Sequence, residues 1–253
     1  MKTKYLKSKL LLAGLLVAIP MMGQLPNKNF TGTSVDPYAR GGNPALDFIF
    51  QQFRNVKPSE NGLEIEGSPY FQQNFKKASI ISNDGLDGSL YVRYDGYSDE
   101  IQIKENPAQE EIQALLRRQD IHCVLDGTKI SYNEFYDRKG RYREGYLFTK
   151  VEMENMTLYE RRMKFFKEGK EARTSLELEV PNRFTEANEL YVGIGQEDGQ
   201  KIQYLKPSKK EILKLMENNP EKASLVKRFM SDKALNVREA SDVIQVFMYY
   251  NTL

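Results

Sequence analysis

The chain has 253 residues, with 37 basic and 35 acidic side chains and a formal net charge of +2. This near balance of charge argues against a nucleic-acid partner, because such partners require a strong positive field. The chain also has one cysteine and one histidine, which excludes an internal disulfide and cannot supply the nitrogen and sulfur ligands of a usual zinc site.

Residues 1–23 are predicted to be a secretory signal peptide. Four lysines precede an apolar run that ends at Pro20, and this run is shorter than the ~20 residues that span a membrane. We expect cleavage after Gly23, with an uncleaved membrane anchor as the alternative. Removal of the four lysines leaves 33 basic against 35 acidic residues. The prediction is an exported protein, periplasmic or secreted, with no transmembrane segment after cleavage.

Residues 24–62 are predicted to be a mobile lead-in with one short helix. Residues 24–43 are rich in Gly, Pro, Asn, Ser and Thr and have no periodicity. Asn43 followed by Pro44 is typical of a helix start, and apolar residues then recur at helical spacing. We therefore predict a helix over 44–56, with a buried irregular segment as the alternative.

Residues 63–205 are predicted to form an antiparallel β domain, because short alternating runs are separated by turn residues. Asp126-Gly127 is a strong two-residue hairpin signal, since glycine accepts the positive φ of such turns. The segment 157–167 has a composition that also suits a helix, but its alternation favours a strand. The predicted strands lie near 63–65, 89–95, 100–104, 121–125, 128–136, 146–153, 157–166, 174–180, 190–194 and 202–205.

Residues 206–253 are predicted to form three short helices. Ser208 with Glu211 matches a capping box, Asn219 precedes Pro220, and Asn236 opens the third helix. These helices would be marginally stable alone, so we expect them to dock on the sheet. The predicted fold class is α+β: a curved, mostly antiparallel β-sheet, either an open barrel or a sandwich, with a C-terminal three-helix subdomain.

His122 and Cys123 are neighbours in sequence and suggest a thiol–imidazole dyad. Adjacent side chains of a strand point to opposite faces, however, and residues 121–125 read as a strand. We therefore expect the two groups to diverge, with Cys123 as an inert buried thiol. The chain also has no Walker loop, Gly-x-Ser-x-Gly elbow or His-Glu-x-x-His motif, so no cofactor and no catalytic residue is predicted.

The stretch YVRYDGYSDEIQIK at 91–104 contains an acidic cluster. One interpretation is a hairpin turn, because Asp and Ser side chains bond nearby backbone amides. The others are a calcium site and the carboxyl pair of a glycosidase, with tyrosines contacting a sugar. The candidate ligand-binding residues here are Tyr94, Asp95, Tyr97, Asp99 and Glu100. The carboxyl pair would be two of the three acidic residues among them.

The second candidate region is basic. Arg138, Arg141 and Arg143 surround a predicted reversal at Gly140. They read either as a solvated hairpin tip or as ligand-binding residues for an anionic partner, such as lipid head groups or acidic polysaccharide. The pair at 161–162 is open to the same two readings.

Three stretches resemble a group of uncharacterised exported proteins of Bacteroidetes-type bacteria: Gly67-Ser68-Pro69-Tyr70 with Phe75 after it, YVRYDGYSDEIQIK, and VFMYYNTL at 246–253. The resemblance covers residue 67 to the end. It implies an envelope or secreted setting and a sheet hairpin at 91–104, and it transfers no catalytic residue. It further implies a likeness to lipoprotein-carrier folds, which hold acyl chains in a curved sheet.

The expected function is that of a non-catalytic exported binding or interaction protein of the cell envelope and not that of an enzyme. Its partner would be a small molecule, a lipid or an envelope protein. The alternative is a carboxylate-dependent hydrolase of envelope polysaccharide, and a third reading is a calcium-stabilised adhesion module.

Overall fold

The computed structural model describes residues 53–56, 65–85, 87–170, 174, 176–178, 180–195 and 199–253. The predicted signal peptide, the predicted lead-in and most of the predicted helix at 44–56 lie outside these residues.

The described residues form twelve strands and three helices. The strands are β1 Phe53–Val56, β2 Ile65–Glu66, β3 Lys76–Ser82, β4 Asp87–Asp95, β5 Glu100–Lys104, β6 Ile112–Leu115, β7 Ile121–Leu125, β8 Thr128–Tyr136, β9 Tyr142–Met153, β10 Met156–Lys167, β11 Asn182–Ile194 and β12 Lys201–Tyr204. The helices are α1 Lys209–Lys214, α2 Pro220–Asp232 and α3 Ala240–Thr252. None of these helices is long and apolar enough to span a membrane.

The strands form one sheet in the order β1-β6-β5-β4-β3-β7-β8-β12-β11-β10-β9, with β2 paired to β11. The pairings are antiparallel except those of β2 with β11 and β12 with β8. The sheet is not closed into a regular barrel. A large, mostly antiparallel sheet followed by three helices confirms the predicted α+β class.

One part of the sheet, β8 to β12, is rolled up, and we call it the rolled half. Strand β8 pairs with β9 as well as β7, and a single parallel pair, Gln203 with Tyr136, joins β12 to β8. The path from β8 through β9, β10, β11 and β12 therefore returns to its first strand.

Because paired residues lie on the same side of a sheet, the register defines an inner face of the rolled half. Tyr191 pairs with both Tyr159 and Tyr204, and Tyr159 pairs with Thr149. Alternate residues before and after these positions share that face, with a bulge in β9 after Thr149. Each of the five strands places one residue in an apolar layer across it: Phe135, Leu147, Tyr159, Tyr191 and Ile202.

The helices pack on the opposite face of β9, β10 and β11. Leu158 and Val192 lie in one buried cluster with Val226, Val246 and Phe247. The apolar stripe of each helix is thus buried against the sheet and the other helices. A separate core is formed by buried side chains of β3 to β9.

Two predicted elements are wrong within the described residues. Phe53–Val56 is a strand paired with Ile112–Leu115, not the end of a helix, because pairing with β6 provides backbone hydrogen bonds that override the local periodicity. None of the described residues of the predicted strand 174–180 lies in a strand: Val180 makes only an isolated pairing with Lys170, and Leu176 is 96% exposed. The alternating pattern alone does not make a strand here, because its described residues do not pair with any of the named strands.

The helix starts were predicted with mixed success. Asn219 caps α2 as expected, since its Oδ1 accepts a hydrogen bond from the Lys222 backbone N at 3.1 Å. Ser208 precedes α1, but its side chain makes no capping hydrogen bond, so the predicted capping box is wrong. Helix α3 begins at Ala240 rather than next to Asn236.

Candidate functional site

Asp95 organises the hairpin between β4 and β5. Its Oδ1 accepts hydrogen bonds from the backbone N of Tyr97 at 2.9 Å and of Ser98 at 3.0 Å, which is the turn chemistry expected of aspartate. The loop spans residues 96–99 between the two strands, so the predicted turn is confirmed. Asp95 is buried, and its carboxylate stabilises the turn through these two hydrogen bonds.

The loop lies against the rest of the sheet and is not a free tip. Gly96 N donates to Pro69 O at 2.9 Å, and Lys164 N donates to Gly96 O at the same distance. A Cβ at Gly96 would clash with the Phe71 ring and crowd Lys164. Glycine at this position therefore leaves room for the Phe71 ring, and the backbone hydrogen bonds hold the acidic loop beside the positive side chains of β10.

Asp99 ends the loop in the left-handed conformation, with φ of 53°. The Tyr94 hydroxyl donates to its Oδ1 at 2.7 Å, and Tyr146 N donates to the same atom at 3.3 Å. Arg161 lies 3.9 Å from its Oδ2. Burial outweighs these partners and raises the pKa of Asp99 above the ordinary value; burial and the nearby Asp99 carboxylate also raise the pKa of Tyr94.

Gly145 on β9 makes room for the Asp99 carboxylate. A Cβ at Gly145 would overlap Asp99 Oδ2. Only glycine lets the hairpin carboxylate approach β9 this closely.

Asp137 organises the basic loop between β8 and β9. Its Oδ1 accepts from the backbone N of Lys139 and of Arg141, while its Oδ2 accepts from Nε of Arg141 at 2.9 Å and of Arg143 at 3.3 Å. These bonds, that of the Arg141 side chain above all, hold the pKa of Asp137 well below its usual range. The reversal at Gly140 is confirmed, with φ of 71°.

The acidic hairpin and the basic loop meet across β10 in one cleft of about 760 Å³, which we call the arginine groove. Six of its lining residues are basic and four are acidic, so the lining carries a net charge of +2. The basic residues are Arg138, Lys139, Arg141, Arg143, Arg161 and Lys164; the acidic residues are Asp99, Asp137, Glu144 and Glu189. Tyr97, Met163, Phe165 and Ala187 add aromatic and apolar surface.

The groove unites five of the eight predicted ligand-binding residues: Tyr97, Asp99, Arg138, Arg141 and Arg143. The other three do not line it. Tyr94 and Asp95 support the hairpin from within, and Glu100 is buried with its Oε1 3.7 Å from Arg117. Of the three carboxyls proposed for a glycosidase pair, only Asp99 faces the groove.

Sequence reasoning did not include Asp137 or Glu189. An aspartate just before a basic turn is the one local signal that could have identified Asp137. Glu189 lies 3.2 Å from Arg138 but is more than 50 residues away in sequence, so only the folded sheet brings them together.

No protein-family model matches the chain, and no curated protein and no solved structure is found to be similar to it. Its candidate site therefore has to be judged on its own geometry. Within the described residues, no group of three or more His, Cys, Asp or Glu side chains is arranged to hold a metal ion.

The predicted divergence of His122 and Cys123 is confirmed. Cys123 is fully buried, and Ile121 and Leu125 on the same face of β7 are buried as well. Burial raises the pKa of the Cys123 thiol to about 12. His122 faces the other way, into a second cleft of about 830 Å³. The two groups cannot act as a dyad from opposite faces of one strand.

Proposed function

We propose that this chain is a non-catalytic binding protein of the cell envelope whose arginine groove takes the carboxylate groups of an acidic polysaccharide. The observation that carries the proposal is the convergence of Arg138, Arg141 and Arg143 with Arg161 and Tyr97 in one open cleft. These residues come from three separate parts of the sequence.

The arginines suit a polymer of carboxylates. A guanidinium presents five N–H donors in a planar fork that matches a carboxylate, which is more than the internal ion pairs use. Arg141 and Arg143 share the carboxylate of Asp137, and their side chains remain 56% and 46% exposed. Exposed ion pairs contribute little stability, so ligand carboxylates can add to them or replace them at small cost.

The aromatic side chains of the groove suit a sugar ring. Tyr97 and Phe165 are both exposed, and their faces provide flat apolar surface of the kind that packs against pyranose rings. Tyr97 is steadied by an edge-to-face contact with Phe184, with ring centroids 5.5 Å apart. A charged groove with aromatic surface fits an acidic glycan better than an acyl chain, which needs an apolar lining.

The test is calorimetric binding of oligogalacturonate of about ten residues to the full chain. Arg143→Gln and Arg161→Gln should each weaken binding about tenfold, because each removes a charge-assisted hydrogen bond. Added salt should weaken it further. The matched control is Arg228→Gln, which removes an arginine that is also 3.6 Å from a carboxylate but lies on α2; it should bind like the unchanged protein.

Three results would contradict the proposal. Equal binding of a neutral galactan would show that carboxylates are not recognised, and an equal loss in Arg228→Gln would show a non-specific charge effect. Tighter binding of phosphatidylglycerol vesicles would assign the groove to phosphate head groups instead. Release of new reducing ends from oligogalacturonate would favour the hydrolase alternative.

A further inference from the structure

The second cleft, which we call the polar cleft, occupies the other end of the inner face of the rolled half. Along β10, Thr157 and Tyr159 line the polar cleft, whereas Arg161 and Met163 line the arginine groove. Along β8, Asn133 lines the polar cleft and Phe135 belongs to the apolar layer. The layer therefore lies between the two clefts along the strands.

The lining of the polar cleft is dominated by hydroxyl and amide side chains. Its hydroxyls include Ser131, Thr149 and Thr157, and its amides include Asn133 and Gln200. Ile202 is the one aliphatic hydrocarbon side chain in this lining. Such a surface offers donors and acceptors together but little apolar area.

Charge argues against an anionic ligand here. Three carboxyls and one lysine line the cleft, a net charge of −2 with histidine neutral. Two of the carboxyls already have partners at the rim: Asp120 is ion-paired with Arg118, and Glu134 accepts a hydrogen bond from Gln119 at 3.0 Å. Apart from these four charged residues, the lining side chains are uncharged when histidine is neutral, and most of them are polar.

The amide side chains are held in place by the protein. Gln200 accepts from the Tyr159 hydroxyl at 2.9 Å and donates to Thr157 Oγ1 at 3.1 Å. It sits over Gly193, where a Cβ would overlap its Oε1. Asn133 Nδ2 donates to both the backbone O and the Oγ of Ser131 at 2.9 Å. Side chains fixed in advance lose less entropy when a ligand binds.

We infer that the polar cleft binds a neutral oligosaccharide. Each sugar hydroxyl both donates and accepts hydrogen bonds, and the mixture of amides, hydroxyls and carboxylates satisfies both roles. The volume of about 830 Å³ lies within the range of small-ligand sites and accommodates a short oligosaccharide. This site is separate from the arginine groove and does not depend on the function proposed there.

The experiment is titration of the full chain with four neutral hexasaccharides: maltohexaose, cellohexaose, laminarihexaose and N-acetylchitohexaose. At least one should bind with a millimolar or lower Kd. Thr149→Val and Asn133→Leu keep the side-chain shape and remove hydrogen-bonding groups, so each should weaken that binding about three- to tenfold.

Two control variants separate the clefts. Thr185→Val makes the same chemical change as Thr149→Val on β11 outside the polar cleft and should leave the affinity unchanged. Arg143→Gln should also leave the hexasaccharide affinity unchanged, although this substitution weakens the binding of oligogalacturonate. Urea unfolding of each variant verifies that the fold is retained.

The inference is overturned if none of the four hexasaccharides binds at 10 mM, or if the Thr149 and Asn133 variants bind as well as the Thr185 variant. Tighter binding of spermine than of any hexasaccharide would make the cleft a cation site and would also overturn it. If a neutral hexasaccharide binds and oligogalacturonate does not, the arginine-groove proposal fails and the inference about the polar cleft stands.

Discussion

The polar cleft and the arginine groove share strands β9 and β10, yet their linings differ in charge by four: −2 in the first and +2 in the second. Strand β10 contributes to both, with Thr157 in one, Arg161 in the other and Tyr159 between them. Because every second side chain of a strand lies on the same face, one long strand can line two sites of different chemistry at different points along its length.

The apolar layer is what keeps the two chemistries apart. Phe135 and Tyr191 pack edge to face with centroids 4.8 Å apart, and the Arg161 guanidinium lies over the Phe135 ring at 5.0 Å. The charged groove thus rests directly on the layer.

The largest effect is expected from removing part of this layer. Phe135→Ala should lower the free energy of unfolding by about 3–5 kcal/mol, because Phe135 is fully buried and its loss leaves a cavity. Urea unfolding measures the change. Phe165→Ala, which truncates an exposed phenylalanine of the groove, should cost less than 1 kcal/mol. Similar costs for the two variants would show that the layer does not support the rolled half.

A smaller effect, limited to the arginine groove, is expected at Gly145. Gly145→Ala should destabilise the protein by about 1–3 kcal/mol, because the new methyl group overlaps the Asp99 carboxylate. It should weaken oligogalacturonate binding and leave hexasaccharide binding unchanged. In an Asp99→Gly background the same substitution should cost less, since the overlapping oxygen is gone. An equal cost in both backgrounds would refute this contact.

The pH dependence of stability should distinguish the half-buried end of the acidic hairpin from an exposed turn. Burial raises the pKa of Asp99 in the folded state, so the folded protein holds this proton more tightly than the unfolded chain. Stability from this group is full below the ordinary value of 3.8 and is lost as pH rises through the raised pKa. Asp99→Asn should therefore be more stable than the unchanged protein at pH 7, with the gap closing toward pH 4.

Asp126→Asn is the matched control for this measurement. Asp126 also has a positive φ, of 50°, but its side chain is exposed beside Lys76. Urea unfolding at pH 4, 5 and 7 should show no widening gap for this variant. A gap of the same shape in both variants would attribute the effect to the turn conformation and not to burial.

The smallest effect is expected at β7, where Cys123 faces the core and His122 faces the polar cleft. Cys123 should stay unlabelled by iodoacetamide at pH 7 in the folded protein, because it is buried and its thiol has a pKa of about 12. Labelling in urea verifies the reagent. Rapid stoichiometric labelling without urea, followed by mass spectrometry, would contradict the placement of Cys123 in the core.

Much of the fold was predictable because its signals are local. The hairpin at Asp126-Gly127 forms with φ of 50° and 75°, as that dipeptide favours. The loop at 96–99 and the strand over 157–166 were also predicted from turn residues and alternation. These features depend on neighbours in sequence, which the sequence displays directly.

Strands that are stabilised mainly by pairing with neighbouring strands were not predicted from the sequence. Strands β3 and β6 lack a clear alternation of apolar and polar residues, and β1 was predicted as helix. The alternating run 174–180 suits a strand, but its described residues make no pairing with a neighbouring strand beyond the isolated one of Val180 with Lys170. Strand formation depends on the neighbouring strand as much as on the sequence itself.

For the candidate sites, the sequence by itself determined the two loops, the turn-forming aspartates, and the opposite faces of His122 and Cys123. Only the tertiary structure decided that the acidic and basic loops share one groove and that neutral side chains of β8, β9 and β10 share another. The reason is register. Which side chains meet is set by the pairing of strands that are distant in sequence, and no local pattern encodes that pairing.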